Sequence, residues 1–166
     1  MNGFLVIDKS PAMSSYDVIR RLKKLHKFNK IGYIGTLDRN ATGVLPVAIN
    51  EGVKLIPYLE DVRKTYRARV LLGVTTDTLD IEGKVLSETP TEPFPIEAIE
   101  NILSSFHGVI RQEIPAFSSK KVHRKPLYKY AREGIPMESH SKEVEIFRLT
   151  VTDYSHPFVD LEVVCS

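Results

Sequence analysis

Short apolar runs with a two-residue period recur along this chain, separated by polar or glycine-punctuated segments and broken by a few helical stretches, and this order decides the fold class. Phe4 to Ile7, Val44 to Ile49, Lys64 to Leu72 and Lys84 to Glu88 read as strands, and two more finish the chain. In the first of these two, Val144, Ile146, Leu149 and Val151 alternate with an irregularity near Phe147. Phe158, Leu161 and Val163 mark the second, with Tyr154 to Pro157 as the turn of a hairpin. No strand, helix, strand rhythm repeats, so a doubly wound parallel sheet is excluded. The expectation is α+β with a largely antiparallel mixed sheet and flanking helices. With 166 residues, 42% of them hydrophobic, the chain holds one ordinary core and is short for two, so a single domain over 1–166 is expected.

The helices have their own signals. Ser10, Pro11 and Ala12 turn the chain toward a helix starting near Ser14, which can cap free amides while Asp17 sits in the first turn. Val18, Ile19, Leu22 and Leu25 then recur at helical spacing, and Arg20, Arg21, Lys23, Lys24 and Lys27 fall mostly off that stripe. A short helix is expected over Gly52 to Leu59. Ile96, Ile99, Leu103 and Phe106 mark a third that ends at Gly108, and Leu127 to Glu133 a fourth that stops at Gly134.

Net charge is only +2, so a polyanion would have to be met by local clusters. Two exist. Seven basic residues face one acid, Asp17, between Lys9 and Lys30, and Lys120, Lys121, His123, Arg124, Lys125 and Lys129 form a second group. The single cysteine, Cys165, excludes an internal disulfide and reads as a small apolar residue on a strand. The apolar run before Asp8 is too short for a signal peptide, and nothing approaches a membrane span, so a cytoplasmic location is expected.

The segment Gly32 to Pro46, GYIGTLDRNATGVLP, has three glycines and no sustained period, so it reads as a loop between ordered elements. Glycine lets such a loop hold a carboxylate rigidly in the open. Asp38 is placed to be that carboxylate, although a lone loop aspartate ordinarily just closes a turn.

The string around Asp38 resembles the catalytic loop of the TruB family of RNA pseudouridine synthases, approximately GHTGTLDPLATGVLP. GTLD stands at Gly35 to Asp38 and ATGVLP at Ala41 to Pro46. Further blocks follow the family's order: GFLVIDK before SS, Lys64 and Tyr66 leading to Leu72 and Gly73, TDTLDIEG at Thr76 to Gly83, and LYKYAREG at Leu127 to Gly134. The resemblance implies a pseudouridine synthase fold and the isomerisation of a uridine in the T-arm loop of tRNA, with no cofactor and no metal. Asp38 takes the catalytic role by its place in the motif. Tyr66 becomes the platform on which the flipped base stacks, with Tyr33, Lys64, Lys9 and Asp80 in binding or positioning roles. The two basic clusters become candidate phosphate contacts.

The chain departs from the family in several places. Tyr33 stands where histidine is usual, Arg39 and Asn40 where proline and leucine follow the aspartate, Ser10 where proline follows the lysine, and Arg124 where glycine is common. Tyr33 keeps a flat ring and a hydrogen-bonding tip but carries no charge near neutral pH. In the family the last strand runs into a segment like GTYIRSL, whose arginine pairs with the catalytic carboxylate, and often into a C-terminal RNA-binding domain. Neither lies within these residues, which implies a partial catalytic domain whose last strand is an exposed edge. The chain alone is then expected to be poorly stable and catalytically weak. The expected partner is tRNA and the expected state a monomer. The alternatives are a truncated RNA-binding or tRNA-remodelling protein without catalysis, or one half of a split enzyme completed by a complementing C-terminal fragment.

Overall fold

The computed structural model describes residues 1–59, 63–115, 118, 120–123, 125–137 and 140–166. The chain divides into two compact units, Met1–Val62 and Arg63–Ser166. Among the described residues no helix is long and apolar enough to cross a membrane.

In the first unit, β1 (Gly3–Lys9), β2 (Ile31–Tyr33) and β3 (Gly43–Ile49) form an antiparallel sheet in the order β1-β3-β2. Its core is β3, where Leu45, Val47, Ala48 and Ile49 are at most 1% exposed. Helix α1 (Ser15–Leu25) lays Val18 and Ile19 onto Leu45 and Val47, and Leu5, Ile7, Leu22 and Leu37 pack around them. Each such side chain contributes about 1.5–3 kcal/mol by leaving water.

The start of α1 follows the sequence reading. Ser14 Oγ accepts from the amide of Asp17 at 3.1 Å, and Asp17 Oδ2 accepts from the amide of Ser14 at 2.9 Å, a reciprocal cap. Its far end differs, because Leu25 is exposed and the helix stops at His26, whose backbone is extended.

Two further readings change. The expected loop Gly32 to Pro46 shrinks to residues 34–42, because β2 takes 31–33 and β3 begins at Gly43. Both strands owe their form to pairing with each other, Ile31 with Ile49 and Tyr33 with Val47, which local composition does not reveal. The helix expected over 52–59 is a 3₁₀ helix, Asn50–Tyr58, with Pro57 inside it. Gly52 is required there, since a Cβ would lie 2.6 Å from the carbonyl oxygen of Gly3.

The second unit is built on an antiparallel sheet of β4 (Lys64–Leu71), β7 (Gly108–Glu113), β10 (Ser141–Ser155) and β11 (Phe158–Cys165), in the order β4-β11-β10-β7. A small pair, β5 (Val74–Thr76) and β6 (Val85–Glu88), lies between β4 and helix α2 (Ile96–Ser104), which packs on β10. A second pair, β8 (Lys121–Val122) and β9 (Lys125–Pro126), leads into helix α3 (Leu127–Arg132). The hairpin β10-β11 forms as read, with a register shift between Ile146 and Arg148, at Phe147. Cys165 is half-buried on β11.

The expectation that the last strand is an exposed edge is overturned. β11 is paired on both sides, with β10 and, from Phe158↔Leu71 to Cys165↔Lys64, with β4. The edges are β4 and β7. The reason is a long-range pairing whose partners, such as Arg67 and Glu162, lie 95 residues apart. β7, β8 and β9 have no counterpart in the sequence reading. Arg124 lies outside the described residues.

Candidate active site

Residues 34–42 carry Asp38, and their backbone is held at both sides of it. Gly35 has φ +71 and Gly43 φ +111, left-handed conformations that side chains disfavour, and these bend the chain out of β2 and into β3. The amide of Ala41 donates to the carbonyl of Asp38 at 3.2 Å, closing a turn with Asp38 at its head.

The anchors are the two polar side chains buried among the described residues, Lys9 and Ser15. Ser15, the first residue of α1, accepts from the amide of Leu37 at 3.0 Å and donates to its carbonyl at 3.2 Å. Lys9, at the end of β1, is 0% exposed. Its Nζ donates to the carbonyls of Met13 at 2.7 Å, Arg39 at 3.1 Å and Ser10 at 3.2 Å. An ammonium has three protons, and here each has an acceptor, which is what allows a charge to sit in the interior. Arg39 adds a return contact, its Nη2 donating to the carbonyl of Ala12 at 3.2 Å. The residues immediately before and after Asp38 are therefore fixed by buried groups.

Asp38 itself is exposed, and among the described residues no hydrogen bond or ion pair reaches its carboxylate. Such a group is available to attack a carbon or remove a proton. Tyr33, on β2, is half-buried against the core of Val18, Ile19, Leu45 and Val47. The nearby acid Asp17 is held below the usual carboxylate range, first by its hydrogen bonds with Ser14 and then by the charges of Arg20 and Arg39.

The other three expected site residues lie in the second unit. Lys64 and Tyr66 are two apart on β4 and so share a face, opposite Cys165 and Val163 of β11; Tyr66 is 40% exposed. Asp80 staples the turn after β5. Its Oδ1 accepts from Thr78 Oγ1 at 2.6 Å and from the amide of Glu82 at 2.9 Å, while its carbonyl accepts from Thr76 Oγ1 at 2.8 Å. Asp77 reinforces the turn by accepting from the amide of Lys84 at 2.7 Å.

In the second basic group, Lys125 pairs with Glu133 and lies 4.5 Å over the ring of Tyr130, so part of that charge is already answered. Among the described residues no three His, Cys, Asp or Glu side chains gather as a metal-holding group.

Ser15 escaped the sequence reading, since one serine at a helix start gives no sign of reaching a distant loop. The burial of Lys9 had a signal: Gly3, Leu5, Ile7 and Lys9 are in phase on β1, so an alternating strand turns all four the same way.

Residues 23–166 match the family model described as TruB family pseudouridylate synthase, N terminal domain. The tRNA pseudouridine synthase B of Geobacter sulfurreducens is 42% identical over 166 residues, covering 100% of this chain and 55% of that protein. The Clostridium tetani protein of the same name is 38% identical over 166 residues, 100% of this chain and 57% of its own length. The chain thus spans about half the length of the curated relatives it matches. Among solved structures, a chain of a Cbf5-Nop10-Gar1 complex aligns with a TM-score of 0.70 at 22% identity, covering 98% of this chain and 39% of that one. A chain of an H/ACA RNP bound to a substrate RNA containing 2'-deoxyuridine aligns with a TM-score of 0.64 at 21% identity, over 98% of this chain and 37% of that one. At these identities the alignments establish a shared fold.

Proposed function

The chain belongs to the TruB family of pseudouridylate synthases, and from that premise we propose that it is the catalytic part of a tRNA pseudouridine synthase, with Asp38 as the residue that acts on a uridine of the T-arm loop. The observation that carries the proposal is an exposed carboxylate on a backbone that Ser15 and Lys9 pin on either side. Fixing the reacting group before substrate arrives removes an entropic cost from the reaction step.

The reaction breaks the bond between uracil N1 and the ribose, turns the base, and closes a bond from C5 to the same sugar carbon. C5 gives up its proton and N1 gains one, so atoms and electrons balance without an external acceptor. Asp38 either attacks the sugar or base as a nucleophile or removes a ribose proton as a base, and both routes need the open carboxylate observed.

The base must leave its stack to be reached, and the ring of Tyr66 is proposed to receive it, for about 1–3 kcal/mol of stacking. Lys64, on the same face of β4, is proposed to hold the nucleotide beside it. Tyr33 presents a ring edge near the substrate, while Lys9 and Asp80 act on the site by holding backbone. The reading places the chain in the cytoplasm with its tRNA, as a monomer over a single catalytic domain.

The test is conversion of uridine in a tRNA transcript by the parent chain and by Asp38→Asn. Conversion by the parent and a loss of about 10²- to 10⁴-fold or more in the variant, with tRNA binding retained, is the expected result. Equal conversion by both would overturn the role of Asp38. Binding by the parent without conversion would favour an RNA-binding protein without catalysis or, if a C-terminal fragment restores turnover, one half of a split enzyme.

A further inference from the structure

Beside the Asp38 loop, α1 presents charge that the loop does not use. Ala12, Met13, Asp17, Arg20, Arg21 and Lys24 line a cavity of about 240 Å³. At roughly 30 Å³ for each water, that is the space of about eight waters, enough for a phosphate group and part of its hydration. Four of the six lining residues are charged, which suits a small ion or a backbone phosphate better than an apolar ligand.

The charges are not equivalent. Asp17 is occupied, accepting from Ser14 and, at 2.8 Å, from Nη2 of Arg20, so these two answer each other. Arg21 and Lys24 are exposed, and among the described residues neither pairs with a carboxylate. Two like charges on one wall of a concavity with no counter-charge of their own attract an anion. Lys23 and Lys27 continue the positive face along the helix.

The cavity is also tied to the loop. Its other wall is Ala12 and Met13, and the carbonyls of those residues are the ones held by Arg39 and Lys9, which flank and clamp Asp38. An anion seated here is therefore fixed relative to the Asp38 backbone. Resting on the reading of Asp38 as the residue that meets a uridine, we propose that this cavity seats a backbone phosphate of the substrate RNA near the flipped nucleotide, with Arg21 and Lys24 as its cationic ligands. Such a contact sets register and affinity and reads no sequence.

The experiment measures the affinity of the 166-residue chain for a tRNA transcript across a range of salt concentrations. Arg21→Gln/Lys24→Gln is compared with a charge-matched control, Lys54→Gln/Lys142→Gln, which removes two lysines away from the cavity. The slope of log affinity against log salt should become shallower by about two units in the cavity variant, with at least about tenfold weaker binding at low salt. The control should keep the parent slope. Circular dichroism and thermal unfolding confirm that the exposed substitutions leave the fold intact. An unchanged slope in the cavity variant, an equal change in the control, or no tRNA binding by the parent would overturn the proposal. A shallower slope in a chain that binds tRNA but makes no pseudouridine would uphold the phosphate seat while the assigned reaction fails, so the two are told apart.

Discussion

Two central strands behave differently. β3, in the middle of the first unit's sheet, has Leu45, Val47, Ala48 and Ile49 sealed from water, whereas β11, equally central in the second, has only Val159 buried. Strand pairing satisfies the backbone in both cases, but burying side chains needs another layer. α1 and the 3₁₀ helix supply that layer over β3. Along β11 one set of side chains is instead an ion-pair ladder: Arg67 and Arg148 both reach Glu162, at 3.1 and 2.7 Å, and Arg69 reaches Asp160 at 2.6 Å. The first unit keeps its critical charge inside, on Lys9. The second displays its charges at the surface, where each pair is worth little.

The sharpest way to break this contrast is to remove the interior charge. Lys9→Met keeps the length and loses the ammonium, leaving the carbonyls of Met13, Arg39 and Ser10 without their donor. A loss of about 3 kcal/mol or more is expected in urea unfolding, together with faster hydrogen exchange at the amides of residues 34–42. Full stability in this variant would show that the clamp is not what holds the loop.

A smaller effect compares the strands directly. Val47→Ala should cost about 2 kcal/mol, because the sealed site cannot collapse around the gap. Val163→Ala on β11 should cost less than about 1 kcal/mol, as its surroundings are only half closed. Equal losses would mean that the second sheet is covered as well as the first.

The smallest effects concern acid and salt. Asp17 is held below the usual carboxylate range chiefly by its hydrogen bonds with Ser14, and Asp160 by its hydrogen bond and charge attraction to Arg69. Each depressed value means that the ionised group favours the fold. That contribution is complete above the ordinary carboxylate pKa and is lost as pH falls below about 4 and through the depressed values. Unfolding midpoints measured down that range should fall less steeply in Asp160→Asn and in Asp17→Asn than in the parent. Added salt should weaken the Asp160 contribution and leave the cap at Ser14 nearly untouched, since screening acts on exposed charge pairs more than on a local hydrogen bond.

What could be read from the sequence follows the range of the interactions involved. The cap at Ser14 and Asp17 and the irregularity at Phe147 are local, and both are found where the residues put them. β7, with only Val109 and Ile110 apolar in GVIRQE, exists because residues 141–146 pair with it, and nothing within the segment announces that. Asp38 was legible because its flanking string is long and specific, while the means of holding it was only half legible. Lys9 is in phase with Leu5 and Ile7, so its burial follows from the pattern, but the reach of Ser15 to Leu37 spans 22 residues and depends on the finished packing.

The place of β11 between β4 and β10 also bears on how the chain is made. The pairings of β1, β2 and β3 all fall within the first 49 residues, so that sheet can close early during synthesis. β4 emerges soon afterwards but has no neighbour until residues 158–165 arrive, after nearly a hundred more have been added. Through that interval its unpaired backbone is open to the wrong partners, and closing so long a loop makes the second sheet the slow step of folding.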